Sequence, residues 1–488
     1  MKNSNAAKRF AKPISMATAL ALAMSMSPVA AIAAPAGTTD VDASKVTITG
    51  LQAGDTVSAF QIADAYINAN NTLGYDFVAG LPAEYDSYED LVKVKSDGNT
   101  YVEGSAMQKA AAAIANIIVD STDDGHATAT GTSAELTLDS GYYLVRVTST
   151  SGNTKVYQNM IVDVSPETNA SGAYVSHEDQ NLAVKSTDVT VTKTVGEGDA
   201  ESTDAYQVGD SVPFKIQAAV PNYPADSKNA TFIISDKPTA GLSIETDTIA
   251  VAGATQGTDY TITSSSTGYT ITFNKAFILA NPGKSIKVTY NATLTKDAFS
   301  LASGDVTGNT ASVTFNPNPY SESTAKPEDK TTVQTYGYVF NKTGKNNAAL
   351  EGAVFTLCDA NGNPVKDENG NNITSTSTKG SDGKAYVYFS GLKAGSYKAK
   401  ETTVPAGYAA VSDVEFSVSA TDAKNDNPAT SAKENNFKVN TASIQDPENS
   451  LLPTTGGEGT LVVTIAGVAF IGAAAYLIVR SRRKGEER

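Results

Sequence analysis

The side chains that most often carry enzyme chemistry are scarce in this chain. It has one cysteine, Cys358, two histidines, His126 and His177, and no tryptophan. A single cysteine excludes an intramolecular disulfide framework, and one cysteine with two distant histidines leaves little for a zinc site. The histidines also lack the partners of a nucleophilic triad. The composition therefore disfavours an enzyme, and we predict neither a metal nor a cofactor.

Chain length and net charge further limit the classes of protein to which this sequence can belong. The chain has 488 residues, which at roughly 150 residues per domain suggests about three domains. Hydrophobic residues make up 40% and charged residues 18% of the chain, so packed cores are expected rather than charge-driven disorder. Lysine and arginine total 37 against 52 acidic residues, for a net charge of -15. This balance disfavours a nucleic-acid partner, because phosphate binding needs a basic surface.

The N-terminus has the layout of a secretory signal peptide. Four basic residues occur in the first twelve, an apolar run extends from Ile14 to Ile32, and small residues surround Ala33. A basic start, an apolar centre and a small-residue exit are the three parts of such a signal. We therefore expect residues 1–33 to be removed on export.

The C-terminus carries an apolar span and a basic tail. The segment from Thr460 to Val479 has no charge and is long enough to cross a hydrocarbon core. Arg480, Arg482, Arg483 and Lys484 follow at once, which places the tail in the cytoplasm. We expect a transmembrane helix over 460–479 and a cytoplasmic tail over 480–488.

A short motif precedes this span. It consists of Leu452, Pro453, Thr454, Thr455 and Gly456. Together with the span and the tail, it resembles the three-part sorting signal of Gram-positive sortase substrates. The resemblance implies cleavage between Thr455 and Gly456, and Pro453 keeps the pentapeptide extended. The expected product is a secreted, wall-anchored surface protein with a membrane-bound precursor; the alternative is an ordinary membrane protein.

The region between the two ends predicts mainly strands. From about 35 to 185 the pattern is mixed, with helical spacing over 60–67 and 106–119 and a strand over 142–147. From about 188 to 330, and again from 333 to 446, alternating segments are separated by turn residues at intervals typical of β-sandwiches. The sequence therefore predicts an all-β fold of tandem sandwiches, preceded by an N-terminal domain with helical insertions.

The C-terminal third makes the family resemblance specific. The segment 350–362 resembles the opening of a Cna-B-type immunoglobulin-like domain, and 391–408, which includes Glu401, resembles its E-box. Segments 208–210, 236–242 and 308–311 resemble a second isopeptide-type domain. Their order resembles the backbone pilins of Gram-positive bacteria.

The resemblance implies a domain order for the whole chain. The domains are a signal peptide (1–33), an N-terminal pilin domain (34–187), an isopeptide-forming immunoglobulin-like domain (188–332), a Cna-B-type domain (333–447), a tether with the sorting motif (448–459), the transmembrane helix (460–479) and the tail (480–488).

The resemblance also implies a lysine that accepts the threonyl end of the next subunit. In such pilins it lies between the first and second domains. The matching stretch here contains Tyr174 and ends at Lys185, although no Tyr-Pro precedes the lysine. Lys185 is the best candidate and Lys155 is the alternative. If Lys185 has no such role, it is an ordinary solvated lysine in a linker.

Intramolecular isopeptide bonds are the further implication. Such a bond forms when a buried, neutral lysine amine attacks an asparagine carboxamide and ammonia leaves, with a nearby acid shuttling protons. In the middle domain the implied residues are Lys193, Asn309 and the acid Asp236, with Lys215 as a competing lysine. In the third domain they are Lys342, Asn440 and the acid Glu401, with Asn436 as a competing partner.

The leading hypothesis is a structural protein, the shaft subunit of a sortase-built pilus. Its implied partners are pilus-specific and housekeeping sortases, other copies of itself and peptidoglycan, with tip or minor pilins and host surface ligands as further partners. The alternative is a monomeric wall-anchored adhesin with the same domains, in which Lys185 has no role.

Overall fold

A computed structural model describes residues 41–91, 105–117, 123–149, 154–198, 202, 205–225, 227–299, 307–430 and 435–449. The predicted signal peptide, the sorting motif, the span over 460–479 and the basic tail lie outside the described residues. No helix within the described ranges is both long enough and apolar enough to cross a membrane. The chain divides into two compact units, residues 1–151 with 158–185, and residues 152–157 with 186–488.

Strands dominate the N-terminal part of the chain. In chain order they are β1 (Ser44–Thr49), β2 (Thr56–Ile67), β3 (Leu73–Phe77), β4 (Gly125–Thr128), β5 (Ser133–Leu138), β6 (Gly141–Ser149), β7 (Lys155–Tyr157), β8 (Met160–Asp163), β9 (Glu167–Thr168), β10 (Tyr174–Val175) and β11 (Gln180–Ala183). The larger sheet has the order β3-β2-β6-β8, with β4 also paired to β2, and a smaller one has the order β11-β1-β5.

One helix in the first unit confirms a prediction and one predicted helix is wrong. Helix α1 (Ala106–Ala115) is rich in alanine, and the Ser105 side chain caps it by accepting a hydrogen bond from the Gln108 backbone N–H. The segment 60–67, predicted to be helical, lies instead inside β2. This strand is buried on both faces over most of its length, and an apolar run of that kind cannot be distinguished from a helix by spacing alone.

The middle domain is a sandwich of two sheets. Its strands are β12 (Ser186–Asp188), β13 (Val191–Val195), β14 (Ser211–Ala219), β15 (Phe232–Pro238), β16 (Leu242–Ile244), β17 (Ala250–Ala252), β18 (Tyr260–Ser265), β19 (Gly268–Phe273), β20 (Ser285–Leu294), β21 (Gly308–Phe315) and β22 (Glu328–Thr332). We call β13-β14-β20-β16, with β17 on β20, the β14 sheet, and β18-β19-β15-β21-β22 the β15 sheet.

The core of this domain lies between the two sheets. One cluster of buried residues includes Phe214 from the β14 sheet and Phe232 and Phe315 from the β15 sheet. The short helix α2 (Lys275–Ala280) adds Phe277 and Ile278 to it. Strand β12 pairs with β7 rather than joining either sheet. Short 3-10 helices cover Thr246–Thr248 and Lys296–Phe299.

The third domain repeats the two-sheet plan in a smaller unit. Its strands are β23 (Tyr336–Thr343), β24 (Val354–Asp359), β25 (Thr374–Thr376), β26 (Thr378–Lys379), β27 (Ala385–Leu392), β28 (Gly395–Thr403), β29 (Val414–Val418), β30 (Phe437–Val439) and β31 (Ile444–Gln445), with a 3-10 helix over Lys345–Asn347. We call β26-β27-β23-β30, with β31 also on β23, the β23 sheet, and β25-β24-β28-β29 the β24 sheet.

The first and last strands of the third domain are neighbours. Both β30 and β31 run parallel to β23, with Val339 opposite Val439 and Lys342 opposite Ile444. The core between the sheets includes Phe340 and Phe355. Cys358 is buried on β24.

Candidate functional site

The middle-domain site begins with a lysine at a core position. In β13 the inward side chains are those of Val191, Lys193 and Val195. Since alternate residues of a strand face the same side, Lys193 takes the place of a third apolar residue. Its side chain is fully buried. The ammonium form of a lysine is costly to bury, so the Lys193 amine is expected to have polar or charged partners.

Three side chains from other strands meet the Lys193 amine. It donates to the carboxyl group of Asp236 on β15 and to the Tyr290 hydroxyl on β20, the latter at 2.5 Å. The carboxamide of Asn309 on β21 donates to the same hydroxyl oxygen at 2.8 Å. The structure thus brings together Lys193, Asp236 and Asn309.

Tyr290 is the member of this site that sequence reasoning missed. The only sequence signal was its place in one of the alternating segments; in the structure it takes an inward position among apolar residues of β20. Its hydroxyl group joins the amine to the carboxamide. Its ring also lies 5.0 Å from the amine nitrogen, as does the ring of Phe214.

Burial favours the neutral forms of both ionisable partners. It lowers the pKa of the Lys193 amine, against the opposing effect of Asp236. It likewise raises the pKa of the Asp236 carboxyl, against the opposing effect of Lys193. A neutral amine has a free electron pair for attack, and a protonated acid can polarise a carbonyl.

Two oxygens of this site lack hydrogen-bond partners. They are Oδ2 of Asp236 and Oδ1 of Asn309, both buried. Buried polar atoms without a partner are rare in proteins and call for an explanation. A proton on the Asp236 carboxyl and the carbonyl oxygen of the Asn309 carboxamide would satisfy each other, which is the polarisation that acyl transfer needs.

The competing lysine of this domain points elsewhere. Lys215 on β14 lies opposite Thr194, one residue along from Lys193, and so belongs to the other face of the sheet. Its amine donates to the backbone carbonyl of Gly198 at 2.6 Å. The geometry therefore favours Lys193 over Lys215 as the nucleophile.

The third-domain site also begins with a lysine in an apolar alternation. Tyr338, Phe340 and Lys342 follow one another at alternate positions of β23. The Lys342 side chain is fully buried, and its amine nitrogen lies 5.3 Å from the centre of the Phe355 ring. Glu401 occupies an inward position of β28 in the opposite sheet.

Two carboxyl groups surround the Lys342 amine. The Glu401 Oε1 lies 3.6 Å from the amine nitrogen, while its Oε2 accepts a hydrogen bond from the Val411 backbone N–H at 2.9 Å. The second carboxyl group belongs to Asp446, which accepts a hydrogen bond from the amine directly. Burial raises the pKa of the Glu401 carboxyl, and the nearby Asp446 raises it further.

The structure does not bring the predicted partner Asn440 to Lys342. The Asn440 carboxamide donates to the Tyr338 hydroxyl at 3.0 Å, and its Oδ1 accepts from the Ala442 backbone N–H. The register explains the difference, because the Asn440 N–H pairs with the Val339 carbonyl, three residues before Lys342. Asp446, which sequence reasoning missed, occupies the place predicted for Asn440.

The competing residue Asn436 lies farther still from the Lys342 amine along β23. Its side chain donates to the Thr335 carbonyl at 3.1 Å, and its backbone carbonyl accepts from the Gly337 N–H. Both contacts are at the start of β23, whereas Lys342 is near its end. In the described part of the third domain, the Lys342 amine forms no hydrogen bond with either asparagine proposed from the sequence.

The two candidate polymerisation lysines occupy different settings. Lys185 is half-buried in the short connection between β11 and β12, and its backbone carbonyl accepts from the Gln158 N–H at 2.9 Å. Lys155 is half-buried within β7, where it lies opposite Asp188. Lys185 is therefore outside regular strand pairing and Lys155 is within it.

Comparison with known families matches the C-terminal part of the chain. A family described as a prealbumin-like fold domain, SpaA, matches residues 337–433, and the LPXTG cell wall anchor motif matches residues 445–487. The anchor match confirms the predicted attachment to the cell wall. A comparison with curated proteins found no match.

Comparison with solved structures covers most of the chain. The T6 backbone pilin of Streptococcus pyogenes serotype M6 has a TM-score of 0.62 at 15% identity, over 84% of this chain and 99% of that one. The major pilins SpaD and SpaA of Corynebacterium diphtheriae have TM-scores of 0.48 and 0.47, both at 17% identity, over 83% of this chain and 98% and 100% of theirs. The first likeness confirms the predicted all-β fold.

Proposed function

We propose that this chain is the shaft subunit of a covalent surface pilus that is finally anchored to peptidoglycan. The observation that carries the proposal is the pairing of a cell wall anchor motif with buried lysine sites in both preceding domains. An anchor alone suits any wall protein. Lysine sites poised for amide formation suit a subunit that must transmit force.

In the middle domain the proposed reaction joins Lys193 to Asn309. The neutral Nζ attacks Cγ of the carboxamide, the carbon–nitrogen bond of that carboxamide breaks, and ammonia leaves. Asp236 gives a proton to the carbonyl oxygen during attack and shuttles the proton from Nζ to the departing nitrogen. Its contact with the amine and its raised pKa support this role.

Polymerisation would use a separate lysine. A sortase transfers the threonyl carbonyl of Thr455 to the amine of the next subunit, and Lys185 is the proposed acceptor. Its place as the last residue of the first unit supports the assignment, because the resemblance puts the acceptor lysine between the first and second domains. Lys155, which lies within a paired strand, is the alternative acceptor.

The test is the polymer ladder on denaturing gels of wall extracts, in cells that also produce the pilus-specific sortase. We expect the wild type and Lys155→Ala to give a ladder and Lys185→Ala to give single anchored subunits. A ladder lost only in Lys155→Ala would transfer the role to Lys155. A single band in the wild type would contradict the shaft proposal and favour the monomeric adhesin.

A further inference from the structure

We propose that the third domain closes itself with an amide bond between Lys342 and Asp446, formed by loss of water rather than ammonia. This inference rests on the proposed function, since it deepens the covalent design of the subunit. The bond would join the side-chain nitrogen of Lys342 to Cγ of Asp446. It differs from the predicted bond to Asn440 in both its partner and its leaving group.

The first support is the placement of Asp446. Strand β31 continues the parallel pairing of β23, with Gln445 opposite Thr343, and the Asp446 N–H then donates to the Thr343 carbonyl at 2.9 Å. This pairing delivers the carboxyl group to the Lys342 amine.

The segment after Asp446 is held on its other side as well. The Pro447 carbonyl accepts from the Ala409 N–H at 2.9 Å, and the Asn449 N–H donates to the Gly407 carbonyl at 2.8 Å. Asp446 is only 1% exposed. Backbone bonds therefore fix the carboxyl group from both directions before any side-chain bond forms.

The second support is the charge balance of the cluster. One lysine and two carboxyl groups share a site in which all three side chains are inaccessible to solvent. If all were ionised, the cluster would hold an uncompensated negative charge, which is costly away from water. At least one carboxyl group is therefore expected to carry a proton. A protonated carboxyl group beside an amine is the pair of reactants that amide formation requires.

The third support is the parallel with the middle domain. There Oδ2 of Asp236 and Oδ1 of Asn309 lack hydrogen-bond partners; here Oε1 of Glu401 and Oδ2 of Asp446 do. In both clusters one such oxygen belongs to the acid and the other to the acceptor. Glu401 thus corresponds to Asp236, and Asp446 corresponds to Asn309.

The reaction balances without any further reagent. Proton transfer within the neutral cluster leaves Lys342 as an amine and both carboxyl groups protonated. The Lys342 nitrogen attacks Cγ of Asp446 while Glu401 gives its proton to the carbonyl oxygen, and the Glu401 carboxylate then takes a proton from the nitrogen of the tetrahedral adduct. Glu401 gives that proton to one hydroxyl group, the carbon–oxygen bond breaks, water leaves, and Glu401 recovers a proton from the remaining hydroxyl group as the amide carbonyl forms. The product is a neutral amide, which removes two charges from the interior.

The test is mass spectrometry of tryptic peptides from the unfolded full chain. We expect the peptides that contain Lys342 and Asp446 to be joined, with a mass lower than their sum by one water. Asp446→Asn should give a linked peptide of the same mass as the wild type, because loss of ammonia from asparagine yields the same amide. Asp446→Ala and Lys342→Ala should give no link.

Two further variants separate the possible partners and the role of the acid. Asn440→Ala should keep the link, whereas Glu401→Gln, which preserves size but lacks the acid, should prevent or greatly slow it in refolding time courses. A link from Lys342 to Asn440 would overturn the inference, as would an unlinked Lys342 in the wild type.

The middle domain provides an internal reference in the same digest. A Lys193–Asn309 link together with an unlinked Lys342 would refute this inference and leave the proposed function intact. Absence of both links, together with absence of a ladder from the cell wall, would refute the proposed function itself.

Discussion

The two buried lysine sites share a plan but take their acceptors from different sheets. In each, a lysine on an early strand replaces an inward apolar residue, and an acid reaches it from the opposite sheet. In the middle domain the acceptor Asn309 also comes from the opposite sheet. In the third domain the acceptor Asp446 directly follows β31, which is a neighbour of the lysine strand in the same sheet.

This difference decides what each bond would fasten. A Lys193–Asn309 bond would tie one sheet of the sandwich to the other. A Lys342–Asp446 bond would tie two adjacent parallel strands, which force pulls past each other when the domain is stretched from its ends. The shared requirement is a buried lysine with a buried acid. The acceptor can be a carboxamide or a carboxyl group, because both yield the same amide.

The first unit offers a contrast to both sites. Among its described residues no lysine is buried, and its fully buried cation is Arg146. The Arg146 guanidinium carbon lies 4.5 Å from the centre of the Phe60 ring. A guanidinium group stays protonated in proteins and so cannot serve as an amine nucleophile. Burial of a cation is therefore insufficient, and the chemistry depends on lysine.

The largest expected effect is mechanical. When the wild-type chain is pulled between Lys185 and Asn449 in a single-molecule experiment, the segments enclosed by the two bonds should not extend. Asp446→Ala should release the 104-residue separation between Lys342 and Asp446, or roughly 350 Å of chain at full extension. Lys193→Ala should release the middle domain instead.

The extension gained in Asp446→Ala and the extension gained in Lys193→Ala should be independent of each other. Asp446→Asn is the matched control for Asp446→Ala, and it should remain as inextensible as the wild type. Full extension of the third domain in the wild type would contradict the proposal that both domains are covalently closed, because that domain would then lack its bond.

The next effect concerns the stability of the middle domain. Asn309→Ala should abolish its bond, and by analogy with other crosslinks that close loops of about 100 residues the loss should be about 4–5 kcal/mol. Asn309→Asp should recover the bond by losing water, as proposed for the third domain. Denaturant unfolding combined with peptide mass analysis measures both outcomes.

Asn309→Asp asks directly whether the two acceptors are equivalent. A linked and stable variant would show that either acceptor suits the middle site. If Asn309→Asp stays unlinked and unfolds as easily as Asn309→Ala, the middle site requires a carboxamide. The two sites would then differ in chemistry as well as in geometry.

The family resemblance supplied the proposed middle-site residues Lys193, Asp236 and Asn309. The structure places all three at inward positions of otherwise apolar strands. Tyr290 was harder to assign, because an inward tyrosine in a strand is most often a plain core residue. Its role depends on the distance between two sheets, which the sequence does not encode locally.

The third site shows where local pattern fails. Lys342 and Glu401 follow from the family resemblance. Asp446 does not, since β31 has only two residues and its pairing with β23 is parallel and distant in sequence. The family resemblance pointed to Asn440, and only the register shows that Asn440 lies beside Val339.

The smallest expected effect belongs to that asparagine. Asn440→Ala removes a half-buried hydrogen bond to the Tyr338 hydroxyl and a turn contact with the Ala442 N–H. A typical net value is about 1 kcal/mol for each hydrogen bond, so the third domain should be destabilised only slightly. The Lys342–Asp446 link and the resistance to pulling should both persist. Asp446→Ala is the matched comparison, because it removes a neighbouring side chain of similar size from the same terminal segment. If Asn440→Ala abolishes the link while Asp446→Ala preserves it, Asn440 is the acceptor, and the two domains then use the same chemistry.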